Sequence, residues 1–149
     1  MSTSEVVPGG NPVSSQLLIN PKGTEAVYKS MQFSQAVRAG DFVWVSGQVG
    51  IDDNFKPGDG IEAQATLAFQ NLANVLKKAG GDLTDIVELV TYHTTMNDMK
   101  GFARVKSKFI PDNYPAWTAV GVTELVMPDL LVEIRATAVI GSGAGKSNK

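Results

Sequence analysis

No cysteine occurs in this chain, and only one histidine, His93. Disulfides, thiol nucleophiles and thiolate metal sites are thereby excluded, as is a metal centre built from several histidines. Apolar runs are short, well below the roughly 18 consecutive residues of a membrane-spanning helix. Basic charge is thin as well: formal net charge is −2, and no run of lysine or arginine precedes the tail. Nucleic-acid binders need basic density to displace counterions from phosphates, so no nucleic-acid partner is expected. The opening Met-Ser-Thr-Ser-Glu-Val-Val-Pro-Gly-Gly has neither the positive charge nor the apolar core of a secretory signal, and a cytoplasmic protein is expected. What is present is ordinary for a globular chain of 149 residues, with 43% hydrophobic and 19% charged residues.

Residues 1–15 carry Ser, Gly, Pro and Val without periodicity and read as an irregular arm. Residues 16–140 read as one domain, and 141–149 have the composition of a disordered tail. Gly141-Ser-Gly-Ala-Gly-Lys-Ser in that tail is one residue too short for a phosphate loop, and no helix can follow it.

Between these ends the spacing predicts a strand at Gln16–Asn20 and a hairpin of Phe33–Arg38 and Phe42–Ser46 around Ala39-Gly-Asp41. A helix over about Gly60–Ala79 follows, with Asp59 and Glu62 as a capping box and an apolar stripe of Ile61, Ala65, Ala68, Leu72, Val75, Leu76 and Ala79. Gly80-Gly81 ends it. Then come a strand at Asp85–Thr94 and a helix capped by Asn97 or Asp98, whose stripe is Met99, Phe102, Val105 and Phe109. Strands at Trp117–Glu124 and Leu131–Ile140 complete the order. Two amphipathic helices sharing one face of a mixed sheet make an α+β layer architecture. In the last strand Val132, Ile134, Ala136, Ala138 and Ile140 belong under the helices. The alternate face (Leu131, Glu133, Arg135, Thr137) is too polar for a dry core and too apolar in parts for water, so a subunit interface is expected over it.

Three stretches stand out by order and spacing: Phe33-Ser-Gln through Gly40 to Ser46-Gly47-Gln48, Asn113-Tyr-Pro-Ala before Trp117, and Leu131-Val-Glu-Ile. Over about Gln32 to Ile140 the chain resembles the Rid/YjgF family. The resemblance implies a chorismate-mutase-like fold, a homotrimer with a ligand pocket in each cleft between subunits, and hydrolysis of reactive enamines and imines. Its pocket serine corresponds to Ser46 in the Ser46-Gly47-Gln48 corner, and its water-activating carboxylate to Glu133. The family's tyrosine is Phe33 here, and its helix asparagine has no match, with Ala103 or Arg104 falling there. Its carboxylate-gripping arginine is replaced by Trp117.

These positions define the candidate site: Glu133 and Ser46 for chemistry, and Trp117, Phe33, Gly47, Arg104 and Arg135 for binding. Without the arginine, about 1.5–3 kcal/mol of charge-assisted hydrogen bonding is absent at that place, and activity on 2-aminoacrylate is expected to suffer. Trp117 reads either as packing or as a stacking floor. Arg135 shares a face with Glu133 and reads as its ion-pair partner, or else Arg135 or Arg104 supplies a displaced anion site. Burial would raise the pKa of Glu133 and an adjacent arginine would lower it. His93 reads as structural, and the isolated acids Asp52 and Asp53 have no metal-site spacing. The expected function is binding of a small neutral or aromatic molecule, with hydrolysis of an imine, enamine or related C–N compound by water that Glu133 positions, and no cofactor. The alternatives are a non-catalytic ligand-binding or interaction trimer, and RNA cleavage or translation inhibition, against which the missing basic patch counts.

Overall fold

The computed structural model describes residues 5–6, 12–13 and 15–145. Its strands are β1 (Glu5–Val6), β2 (Pro12–Val13), β3 (Gln16–Ile19), β4 (Ala36–Ala39), β5 (Phe42–Val49), β6 (Ile86–His93), β7 (Ala116–Gly121) and β8 (Val132–Val139). The helices are α1 (Glu25–Met31), α2 (Ile61–Lys78) and α3 (Met99–Phe109). A six-stranded sheet runs β3-β4-β5-β8-β6-β7, antiparallel except for the β6–β7 pair, which α3 connects.

α2 and α3 lie together on one face of this sheet, and the core fills the space between. Phe69, Leu72, Leu76 and Phe102 from the helices meet Val43, Leu89, Ile134 and Ala138 from the strands, all buried. β8 has the alternation expected of a strand with one dry face: Val132, Ile134, Ala136 and Ala138 are buried, and the residues between them are half-buried. On the outer face of the sheet Leu18, Phe42 and Trp44 are exposed among the described residues. Phe42 and Trp44 stack there at 5.7 Å between ring centres.

The end of α2 is tied to the β4–β5 hairpin. Gly80 (φ 97°) and Gly81 return their N–H groups to Lys77 and Leu76, closing the helix with the paired bonds that a left-handed glycine permits. Arg38 Nη1 donates to the Ala79 carbonyl at 2.6 Å, while its Nε donates to Gly40 O at the hairpin turn.

Several expectations change. α1 was not expected: it has seven residues, none of them buried, and its apolar side chains Tyr28 and Met31 are exposed; its left-handed C-cap Gln32 returns its N–H to Tyr28. Asp59 is not the cap of α2: Gly60 occupies that place with no side-chain bond. The capping box sits instead at Asp82 and Asp85, where it starts a short 3-10 turn. The Phe33–Arg38 strand starts later, at Ala36, where Ser34 and Gln35 before it bond Asn20 and Ser46. Part of the expected tail is ordered: Ser142–Gly145 forms a 3-10 turn, held by Gly143 N–H on Asp85 Oδ1 and Ser142 Oγ on Val139 O. Residues 146–149 lie outside the described residues. In the arm, Glu5–Val6 pairs with Pro12–Val13, and residues 1–4, 7–11 and 14 lie outside the described residues.

Candidate functional site

A β-bulge builds the centre of the site. Between the pairs Val45↔Ala136 and Gln48↔Ile134 the register slips, so that Ser46 and Gly47 together oppose Arg135. The extra residue lets both Val45 and Gln48 point into the core, although they are three apart. Ser46 is then fixed from both ends: its N–H donates to Gln35 O at 2.8 Å and its Oγ donates to Ser34 O at 2.7 Å. With that proton committed, the hydroxyl presents acceptor lone pairs. Beneath it, the buried Gln48 amide donates to Gln35 Oε1 at 2.9 Å and to Ser46 O at 3.1 Å.

Glu133 projects from the outer face of β8, beside Val49 on β5 and Tyr92 on β6. Its side chain lies over Gly47, where a built Cβ would find Glu133 Oε2, Cδ and Cγ all within 2.9 Å. The approach needs a residue without a side chain. Burial pushes the Glu133 pKa up. The start of β8 is held in place by buried Gln64, whose amide donates to Gly58 O and Asp129 O and whose Oε1 accepts from Leu131 N–H at 2.7 Å.

The arginines have other partners. Arg135 is 3.9 Å from Glu88, a diagonal neighbour on β6, and is not paired to Glu133. Arg104 bonds Glu62 on α2 through Nε and Nη2, each at 3.3 Å, on the helix side of the molecule. This contact holds the Glu62 carboxyl below its usual range. The structure therefore does not bring Arg104 to Ser46, Gly47 and Glu133. Phe33 is part-exposed next to Ser34, the partner of Ser46.

Trp117 lies on the other face of the sheet. In the parallel β6–β7 ladder it sits beside buried Leu89, and its ring packs 6.0 Å from Phe102 of α3. Its Nε1 donates to Thr91 Oγ1 at 3.0 Å, and Thr91 Oγ1 is 2.7 Å from His93 Nε2. His93 is fully buried, edge-on to Phe102, with its pKa lowered by burial and Nδ1 without a partner. Its structural reading fits this placement. Sequence reasoning missed Lys106, whose Nζ stands 4.5 Å from the Trp117 ring centre and 5.6 Å from that of Tyr114. The spacing Phe102–Lys106 was the available signal, since residues four apart share a helix face.

Two shallow concavities of about 390 and 380 Å³ are lined by loop residues and by α2, the first including Lys56, Asp59 and Asp129, the second Asp52, Asp53 and Asn71. Neither reaches Ser46, Gly47, Glu133 or Trp117. No helix among the described residues is long and apolar enough to cross a membrane.

A family model described as Endoribonuclease L-PSP matches residues 23–140. The chain belongs to the Rid/YjgF family. RutC family protein YjgH of Escherichia coli is 37% identical over 118 residues, spanning 78% of this chain and 90% of that one. The solved structure of protein YjgH covers 84% of this chain and 96% of its own, with TM-score 0.76 and 35% identity. A human relative named 2-iminobutanoate/2-iminopropanoate deaminase is 30% identical over 111 residues, covering 73% of this chain and 80% of its own. The Rid/YjgF fold expected from the sequence, α+β with a mixed sheet under helices, is the fold observed.

Proposed function

We propose that this Rid/YjgF member is a cytoplasmic homotrimer that hydrolyses the C=N bond of a small planar imine, or of an enamine through its imine tautomer, in clefts between subunits. The observation that carries the reading is the Glu133 carboxyl lodged over Gly47 beside Ser46, with burial raising its pKa toward the range of a general base working near neutrality. Names of relatives, imine deaminases among them, support the same reaction class.

In this reading Glu133 takes a proton from water as the oxygen attacks the imine carbon, and the proton passes to the nitrogen of the tetrahedral carbinolamine. Glu133 then takes the hydroxyl proton and delivers it to the nitrogen as the C–N bond breaks, releasing ammonia or an amine and leaving a carbonyl compound. Ser46 accepts a hydrogen bond from the substrate and orients it. Trp117 and Glu133 lie on opposite sheet faces of one chain, so a second copy must supply one of them if both line the same cleft. The half-apolar outer face, with Phe42 and Trp44 exposed, favours such association.

The test is Glu133→Gln assayed on cyclic and aromatic imines. Loss of turnover with retained binding supports hydrolysis. Binding without turnover in the wild-type protein as well would instead indicate a non-catalytic ligand-binding trimer.

A further inference from the structure

Three of the four cations of α3 divide between two sides. Arg104 turns to α2 and pairs with Glu62, and Lys108 acts on that same carboxylate. Lys106 turns the other way, toward Trp117 of β7 and Tyr114 in the loop before it, which present their rings to its Nζ. Among the described residues, no carboxylate comes within ion-pair distance of Lys106.

The two rings are held in position. Trp117 Nε1 is bound to Thr91, and the Tyr114 hydroxyl donates to Pro111 O at 3.2 Å. Ring faces attract an ammonium through their quadrupoles but accept hydrogen bonds weakly, so its N–H donors remain available. Packing has also withdrawn water from Lys106, which lowers its pKa. A partly dried cation without a counter-ion is a costly arrangement that an anion would relieve.

We infer that Lys106 is an anion anchor, binding the carboxylate of a small planar acid that packs on the exposed parts of Trp117 and Tyr114. A single ammonium set between two ring faces matches a monoanion better than a phosphate, which calls for several donors. The ligand is thus an acid, where the sequence had pointed to a neutral or aromatic molecule. The inference rests on the proposed function only in taking Trp117 as a ligand-facing surface, and it needs no hydrolysis.

The experiment is fluorine NMR titration of the full chain with para-fluorobenzoate and its uncharged counterpart para-fluorobenzamide. Wild type and Lys108→Met should bind the acid about tenfold more tightly than the amide, as a charge-assisted bond implies. Lys106→Met should bind the two alike; if that variant fails to fold, Lys106→Gln reads the same difference. Equal binding of acid and amide by wild type, binding of neither, or a preference that survives loss of Lys106 would overturn the inference. Binding is scored without turnover. An inactive hydrolase that keeps the acid preference therefore counts against the proposed function alone, and an active one without the preference counts against the anchor alone.

Discussion

Glu133 and Gly47 share one space across the β5–β8 ladder: the carboxylate lies where a side chain on residue 47 would have to be. The bulge at Ser46–Gly47 creates this vacancy, and the alternation of β8 delivers Glu133 into it. Backbone irregularity on one strand therefore fixes the position of the reactive group on the next.

Gly47→Ala should cost about 1–3 kcal/mol of stability, the usual range for overpacking, and should abolish imine turnover by displacing Glu133. Thermal melts of the single variants and of Gly47→Ala/Glu133→Ala test the pairing. If the clash is with Glu133, the double variant loses less than the sum of the two single losses; simple additivity would show that Gly47 matters for some other reason.

The raised pKa of Glu133 fixes the sign of two pH effects. A carboxyl held above its unfolded pKa reduces stability once the unfolded group ionises, from about pH 4.3 upward, and the cost is complete above the folded pKa. Glu133→Gln should therefore raise Tm at about pH 7 and leave it unchanged near pH 3.5. Turnover should rise with pH along an acid limb lying above the ordinary glutamate value. A Tm gain that is the same at both pH values would argue against this account.

Thr91 joins Trp117 to His93, and it is fully buried. Thr91→Val removes the hydroxyl and leaves both ring nitrogens unpaired, at a cost of about 1–3 kcal/mol in denaturant unfolding. Thr91→Ser keeps the oxygen and should recover most of that loss. Equal destabilisation by Ser and Val would mean that the methyl group, not the hydroxyl, matters.

Phe42 and Trp44 are 50% and 46% exposed in the single chain, which suits an interface and not a solvated face. Sedimentation of the wild-type protein should give a trimer at micromolar concentration, and Trp44→Glu should shift it toward monomer. A wild-type monomer would remove both the trimer and the shared cleft.

The elements that could be read from sequence were those whose burial follows a single period. α2, α3 and β8 each bury one clean stripe, and their apolar spacing shows it. α1 buries nothing and left no such trace. Ser46, Gly47 and Glu133 were found through the family resemblance, but the bulge that joins them is a property of register between distant strands. The same holds for Trp117: its side of the sheet follows from parallel pairing with β6, which no local pattern encodes. The expected Glu133–Arg135 pair rests on neighbours along one strand, whereas Glu88 reaches Arg135 from β6; Arg104, a candidate anion site, is instead taken up by Glu62 of α2.

The Arg38 bridge bears on how the fold opens. One guanidinium grips the hairpin turn at Gly40 and the last carbonyl region of α2 at Ala79, so neither end can fray without releasing the other. The final turn of α2 and the β4–β5 turn should then behave as one cooperative unit in native-state amide exchange, with the Gly80 and Gly81 protons sharing the opening free energy of the hairpin. Arg38→Met should uncouple them, leaving the helix end to exchange sooner than the strands.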